Sequence, residues 1–195
     1  MKRIFCIGLV LSLALLLFCG CGKKNEYNIF TEFATIEENF ISPRYVAFGK
    51  TLDTYMQENE LTKEDVFRYD DRRADRYISL EYKAENIPYE VRQIVYFVAE
   101  NHEDYKNQLY KVSYMLSVKK TESETAFESF YEQAKAVMPA PSSQSIENIK
   151  TGDTVSWTDQ EGNVLTFSTS TMGEENIAVF ISIRSGQYPT YADLK

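Results

Sequence analysis

The sequence predicts an α+β fold in two layers, helices packed on an antiparallel sheet, with one helix and a three-strand meander occurring twice. Three observations carry that prediction. Over 76–83 and 177–184 apolar and polar residues alternate, the period of a half-buried strand. Over 126–138 apolar residues recur every three or four positions, the period of an amphipathic helix. Short polar stretches, two of them carrying Gly162 and Gly173, separate the strand segments closely enough for hairpins.

The chain begins with Lys2 and Arg3, then a nearly unbroken apolar run over 4–18. That run fits a secretory signal better than a bilayer span, which needs ~20 apolar residues. Phe18, Cys19, Gly20, Cys21, Gly22, Lys23 and Lys24 follow, with small residues on both sides of Cys21. Cys19 is the poorer acceptor, because Leu17 and Phe18 precede it. This stretch resembles the bacterial lipoprotein signal, which implies cleavage between Gly20 and Cys21 and a diacylglycerol on the sulfur of Cys21. Two acyl chains, at about 0.8 kcal/mol per buried methylene, are what stable anchoring requires. The organisation expected is a signal over 1–20, a lipidated stalk over 21–28 and a single domain over 29–195, with halves at 43–118 and 121–184. The location expected is extracytoplasmic, tethered to a bacterial membrane.

Cleavage removes Cys6 and Cys19, and lipid consumes Cys21, so the domain carries no thiol and no disulfide. Its core alone must hold it. Aromatic residues make up 14 % of the chain and supply that core with rings. The precursor's net charge is −8, and loss of Lys2 and Arg3 leaves 19 basic against 29 acidic residues, or −10. No basic stripe interrupts this acidity, which excludes nucleic acid as a partner and favours a solvated surface.

Within the domain, Phe30, Phe33, Ile36 and Phe40 fall at helix-like intervals before Pro43. Ser42 followed by Pro43 predicts a helix over 43–58, with the serine as cap and proline in the first turn. Thr62 and Asp65 predict a short capped helix. Next come strands over 76–83, 91–99 and 110–118. The second is apolar on both faces, the pattern of a central strand covered on both sides. In the third, Tyr110, Val112, Tyr114, Leu116 and Val118 are expected on the core side. Thr121 and Glu124 have capping-box spacing before a helix that ends at Pro139. Strands over 154–158, 164–170 and 177–184 complete the second half.

The helix near 49–56, the short helix near 62–67 and the strands after them resemble the beta-lactamase-inhibitor-like and outer-membrane-assembly lipoprotein folds. Those families act by binding other proteins, which the resemblance implies as a role here.

No residue set announces chemistry. Gly49, Lys50 and Thr51 look like the tail of a phosphate loop, but Arg44 stands where the motif needs its first glycine. His102 is the only histidine, so neither a zinc site nor a histidine-based nucleophilic site is expected. No metal or other cofactor is expected. Among the tyrosines, those inside strands read as core. Tyr188 and Tyr191, past the last strand, either dock back onto the domain, the favoured outcome, or form a binding surface for a partner. The function expected is a non-catalytic binding module anchored at the cell envelope, its partners the membrane through lipid on Cys21 and an envelope protein. The alternatives are a small-molecule or carbohydrate-binding lipoprotein and a carboxylate- or serine-based envelope hydrolase.

Overall fold

In the computed structural model, residues 27–37, 40–68, 76–84, 86–98 and 103–188 are described. They form a mixed α and β fold dominated by one seven-stranded antiparallel sheet. A two-stranded hairpin accompanies it.

The first turn is α1, Ile29–Phe33, and Asn28 caps it. Its side-chain oxygen accepts from the N–H groups of Phe30 and Thr31 at 3.0 and 3.2 Å. The helix-like spacing of phenylalanines holds for that turn only. Ile36 and Phe40 lie instead in a hairpin of β1, Ala34–Glu37, and β2, Phe40–Pro43. The helix expected over 43–58 begins later for the same reason: Ser42 and Pro43 end a strand rather than open a helix. Gly49, at φ +79°, then turns the chain in a conformation that a continuous helix excludes. Thr51 is the actual cap of α2, Leu52–Glu58, accepting from Thr54 N–H at 3.2 Å. The short helix at Thr62 is present as a 3₁₀ turn, Lys63–Asp65, with Asp65 accepting from the Thr62 N–H at 2.8 Å.

The sheet contains β3, Phe67–Arg68; β4, Arg76–Tyr82; β5, Val91–Phe97; β6, Leu109–Lys119; β7, Val155–Thr158; β8, Val164–Met172; and β9, Asn176–Arg184. Their order is β3-β4-β5-β6-β9-β8-β7. Each meander is therefore contiguous, and the two meet where the last strand of the first pairs with the last strand of the second. That seam runs for nine residue pairs, from Lys111 with Arg184 to Lys119 with Asn176.

From β4 to β9, one face of the sheet carries the buried core positions. Ile78, Val95, Val112, Leu116, Ile181, Ile183, Leu165 and Phe167 point to it. Between Tyr96 and Phe97 the β5–β6 register slips, and Phe97 faces Leu109 with Tyr110 inserted as a bulge. Leu109 thus takes the core place expected for Tyr110, and is fully buried.

The best helix of the sequence is α3, Ser123–Val137, and its stripe of Ala126, Phe127, Phe130, Tyr131 and Ala134 is buried as expected. Its capping box does not form. Lys120–Glu122 is a 3₁₀ turn that leaves Thr121 ahead of the helix entry, with Glu122 at the cap position, and Ser123 Oγ donates to the Lys120 carbonyl at 2.8 Å. Phe127 and Phe130 meet the Phe167 ring on the sheet at centroid distances of 6.5 and 6.3 Å. A further 3₁₀ turn, Ile146–Thr151, buries Ile149 completely. The aromatic centre is completed by α1. Phe33 stacks on Tyr114 at 4.1 Å, and Phe30 meets Trp157 edge-on at 5.8 Å.

Candidate functional site

Two regions of the surface are built from side chains whose chemistry exceeds what folding alone requires: the outward face of the sheet and a cleft beside α2. The outward face follows from the register. Phe67, Tyr77, Tyr96, Lys111, Arg184 and Val164 are successive cross-strand partners and form one row across the sheet. Phe67 and Tyr77 stack at 5.4 Å, and Lys111 Nζ lies 4.7 Å from the centre of the Tyr96 ring. Beside this row, Ser113 and Ser182 share a hydrogen bond of 2.8 Å. Beyond them Met115 pairs with Phe180, both half-buried like Ile94.

The second strand was expected to be covered on both sides. It is central, between β4 and β6, yet Arg92 is exposed and Ile94 and Tyr96 are only half-buried on its outward side. Ile94 and Tyr96 on the outward side, rather than a second covering layer, produce its apolar appearance. Charge is also unevenly placed. The described strand residues of the outward face include Arg92, Lys111, Lys119 and Arg184 but a single acid, Glu81, in a chain of net charge −8.

The cleft lies on the other side, where the segment after β2 passes the edge of the core. A cavity of about 460 Å³ is walled by Tyr45, Lys50, Tyr55, Asn59, Tyr82 and Gln93, among others. A neighbouring cavity of about 610 Å³ shares Tyr45, Val46 and Lys50 with it. Behind the first runs a buried polar chain: Tyr55 Oη donates to Gln93 Oε1 and Gln93 Nε2 donates to Tyr114 Oη, both at 3.1 Å. Burial pushes the Tyr55 hydroxyl up to about 12 and raises that of Tyr114 as well. At the mouth, Tyr45 and Tyr82 both donate to Glu32 Oε1, at 3.2 and 3.0 Å. Burial first, then Tyr45 and Glu32, raise the Tyr82 hydroxyl. Tyr55, Tyr82 and Tyr114 therefore stay protonated and serve as fixed hydrogen-bonding groups.

Of the residues singled out in the sequence, Tyr188 is buried against the domain. Its hydroxyl donates to Gln108 Oε1 at 2.9 Å and its ring meets Tyr105 edge-on at 5.0 Å. Cys21, His102 and Tyr191 lie outside the described residues. Gly49, Lys50 and Thr51 are a structural turn. Gly49 N–H donates to the Leu109 carbonyl at 2.9 Å, Lys50 pairs with Glu58, and Thr51 caps α2.

Among the described residues no group of three or more histidine, cysteine, aspartate or glutamate side chains is placed to hold a metal ion. No described helix is long and apolar enough to cross a membrane. Sequence reasoning missed Tyr45, Gln93 and Glu32. The one signal for Gln93 was a polar residue at an inward position of an otherwise apolar strand. No family profile, curated protein or solved structure matches the chain.

Proposed function

We propose that the protein is a lipid-anchored extracytoplasmic interaction module, non-catalytic, that docks an acidic envelope protein on the outward face of its sheet. The fold is read as two layers, with α1, α2 and α3 on one face and the other face left for a partner. The observation that carries this reading is the make-up of that face. Ile94, Met115 and Phe180 form an apolar centre, aromatic rings lie beside it, and arginine and lysine stand around it. Aromatic, methionine and arginine side chains are those enriched in the cores of protein interfaces. The excess of cations in an otherwise acidic chain selects an acidic partner by steering and by repelling cationic ones.

The direction of the tether supports the same assignment. Asn28 Nδ2 donates to the Gln133 carbonyl at 2.9 Å and Gln133 Oε1 accepts from Ile29 N–H at 2.8 Å. The chain thus enters the domain against α3, on the side opposite the outward face. A stalk of the seven residues 22–28 reaches at most about 25 Å when fully extended. Lipid on Cys21 then holds α3 toward the membrane and turns the sheet face away from it.

A photo-crosslinking amino acid placed in living cells at Met115 or Phe180 tests the docking face. The same adduct is expected from both positions and none from Glu128 on α3. Adducts from Glu128 alone would reject the sheet face. Lipid attachment is read separately: Cys21→Ser is expected to abolish labelling by radioactive palmitate and to release the protein from membranes.

A further inference from the structure

We infer that the two cavities beside α2 form one binding site for a neutral oligosaccharide, with Tyr45 at the junction between them. The site is separate from the outward face, so it is an additional binding activity. Size comes first. Cavities of about 460 and 610 Å³ that share Tyr45, Val46 and Lys50 as walls fall within the range of roughly 300–1,000 Å³ of small-molecule sites, and together accept an extended ligand.

Wall chemistry comes second. A sugar presents an apolar C–H face and a girdle of hydroxyl groups, and the walls match both. Tyr45 is half exposed, at 50 %, with the Arg44 guanidinium 5.6 Å from its ring centre and its own hydroxyl fixed on Glu32. Held in this way, its ring is a prepared platform that loses little freedom when a ligand stacks on it. Around it stand groups that exchange hydrogen bonds with hydroxyls. Asn59 donates through Nδ2 to the Tyr55 carbonyl at 2.8 Å, which leaves its Oδ1 to accept. Gln93 is oriented by Tyr55 and Tyr114 behind it. Ser42 and Gln187 wall the second chamber.

Charge comes third. Lys50 is paired with Glu58, and Arg44 Nη1 donates to the Thr31 carbonyl at 2.8 Å. Lys50 and Arg44 are thus already engaged, and the remaining wall charges, Lys83 and Glu161, are one of each sign, so a neutral, hydroxyl-rich ligand fits where an anionic one would have to displace these contacts. An aliphatic ligand fits worse, since it would cover Asn59 Oδ1 without giving it a donor.

The test is isothermal titration of the full chain, anchored in phosphatidylcholine vesicles, with cellobiose, maltotriose, chitotriose and tri-alanine. At least one saccharide is expected to bind in the micromolar to low-millimolar range, and tri-alanine is not. Tyr45→Ala is expected to weaken binding at least tenfold with the melting temperature unchanged. Asn59→Leu, a second variant that keeps the size of the side chain and removes the Oδ1 acceptor, is expected to weaken it severalfold. Absence of saccharide binding at ~10 mM, stronger binding of tri-alanine, or undiminished binding by the folded Tyr45→Ala variant would each overturn the proposal. Adducts at Met115 and Phe180 are unaffected by any of these outcomes, so this proposal fails or stands apart from the docking face.

Discussion

Gly186 shows how little room single residues leave at the edge of the fold. A Cβ there would lie 2.4 Å from the Glu161 carbonyl oxygen and 2.4 Å from the carbonyl carbon of Gly162, both of them backbone. Gly186→Ala is expected to cost about 1–3 kcal/mol, read as a lower midpoint in urea. The buried tyrosines make a second prediction. A hydroxyl whose folded pKa is raised favours the protonated form, so its contribution is present below its ordinary value near 10 and is lost as pH rises toward the folded one. The fold should therefore lose stability from about pH 10 to 12, the window set by Tyr55. Absorbance near 295 nm should show part of the tyrosine population ionising only as the chain unfolds. Titration of every tyrosine at pH 10 in the folded protein would contradict this.

At this scale the sequence was a partial guide. Tyr114 and Tyr131 are core as read, because their strand and helix positions coincide with the apolar period. Tyr77 and Tyr96 lie at outward positions of their strands, so the same residue type serves two faces. The chain from Tyr55 through Gln93 to Tyr114 joins residues on one helix and two strands, and no local pattern encodes it. Tyr45 carries no periodic signal either, since it sits in an irregular stretch after β2.

Elements were legible where their period is strict. The bounds of β4, β8 and β9 fall within two residues of those expected at every end, because alternation ends where the turn chemistry begins. Helix entries were less so. Ser42 and Pro43 carry the chemistry of a helix start, yet proline suits a strand end equally well, and pairing of β2 with β1 decided the matter. The bulge at Tyr110 was hidden for a similar reason: an inserted residue leaves the apolar count unchanged and only the partner strand reveals it. The orientation of α3 gives the sharpest test among the elements. Phe130 is fully buried against Tyr89, Phe127 and Phe167. Phe130→Asp is expected to unfold the domain, with loss of far-ultraviolet circular dichroism, because a buried unpaired carboxylate costs several kcal/mol.

Across the whole molecule, β4 to β6 and β7 to β9 are two contiguous meanders within one sheet. The β6–β9 seam makes one sheet of them, and no sequence feature indicated which strands would meet. Residues 29–120 expressed alone would expose β6 along its length and lose the Phe167 and Trp157 partners of the core. That fragment is expected to lack a cooperative thermal transition. A sharp transition would mean that each half folds by itself.

The seam also sets an order of events. Hairpins within each meander close over short loops, whereas β6 must wait for β9, dozens of residues later, and such distant pairings form slowly. A chain that crosses a membrane unfolded would present a long unpaired β6 edge until its last strand arrives. Unpaired edges of that kind recruit other strands. The interval between emergence of β6 and arrival of β9 is thus the moment at which folding of this chain is most open to misassembly, and where a holding chaperone would act to greatest effect.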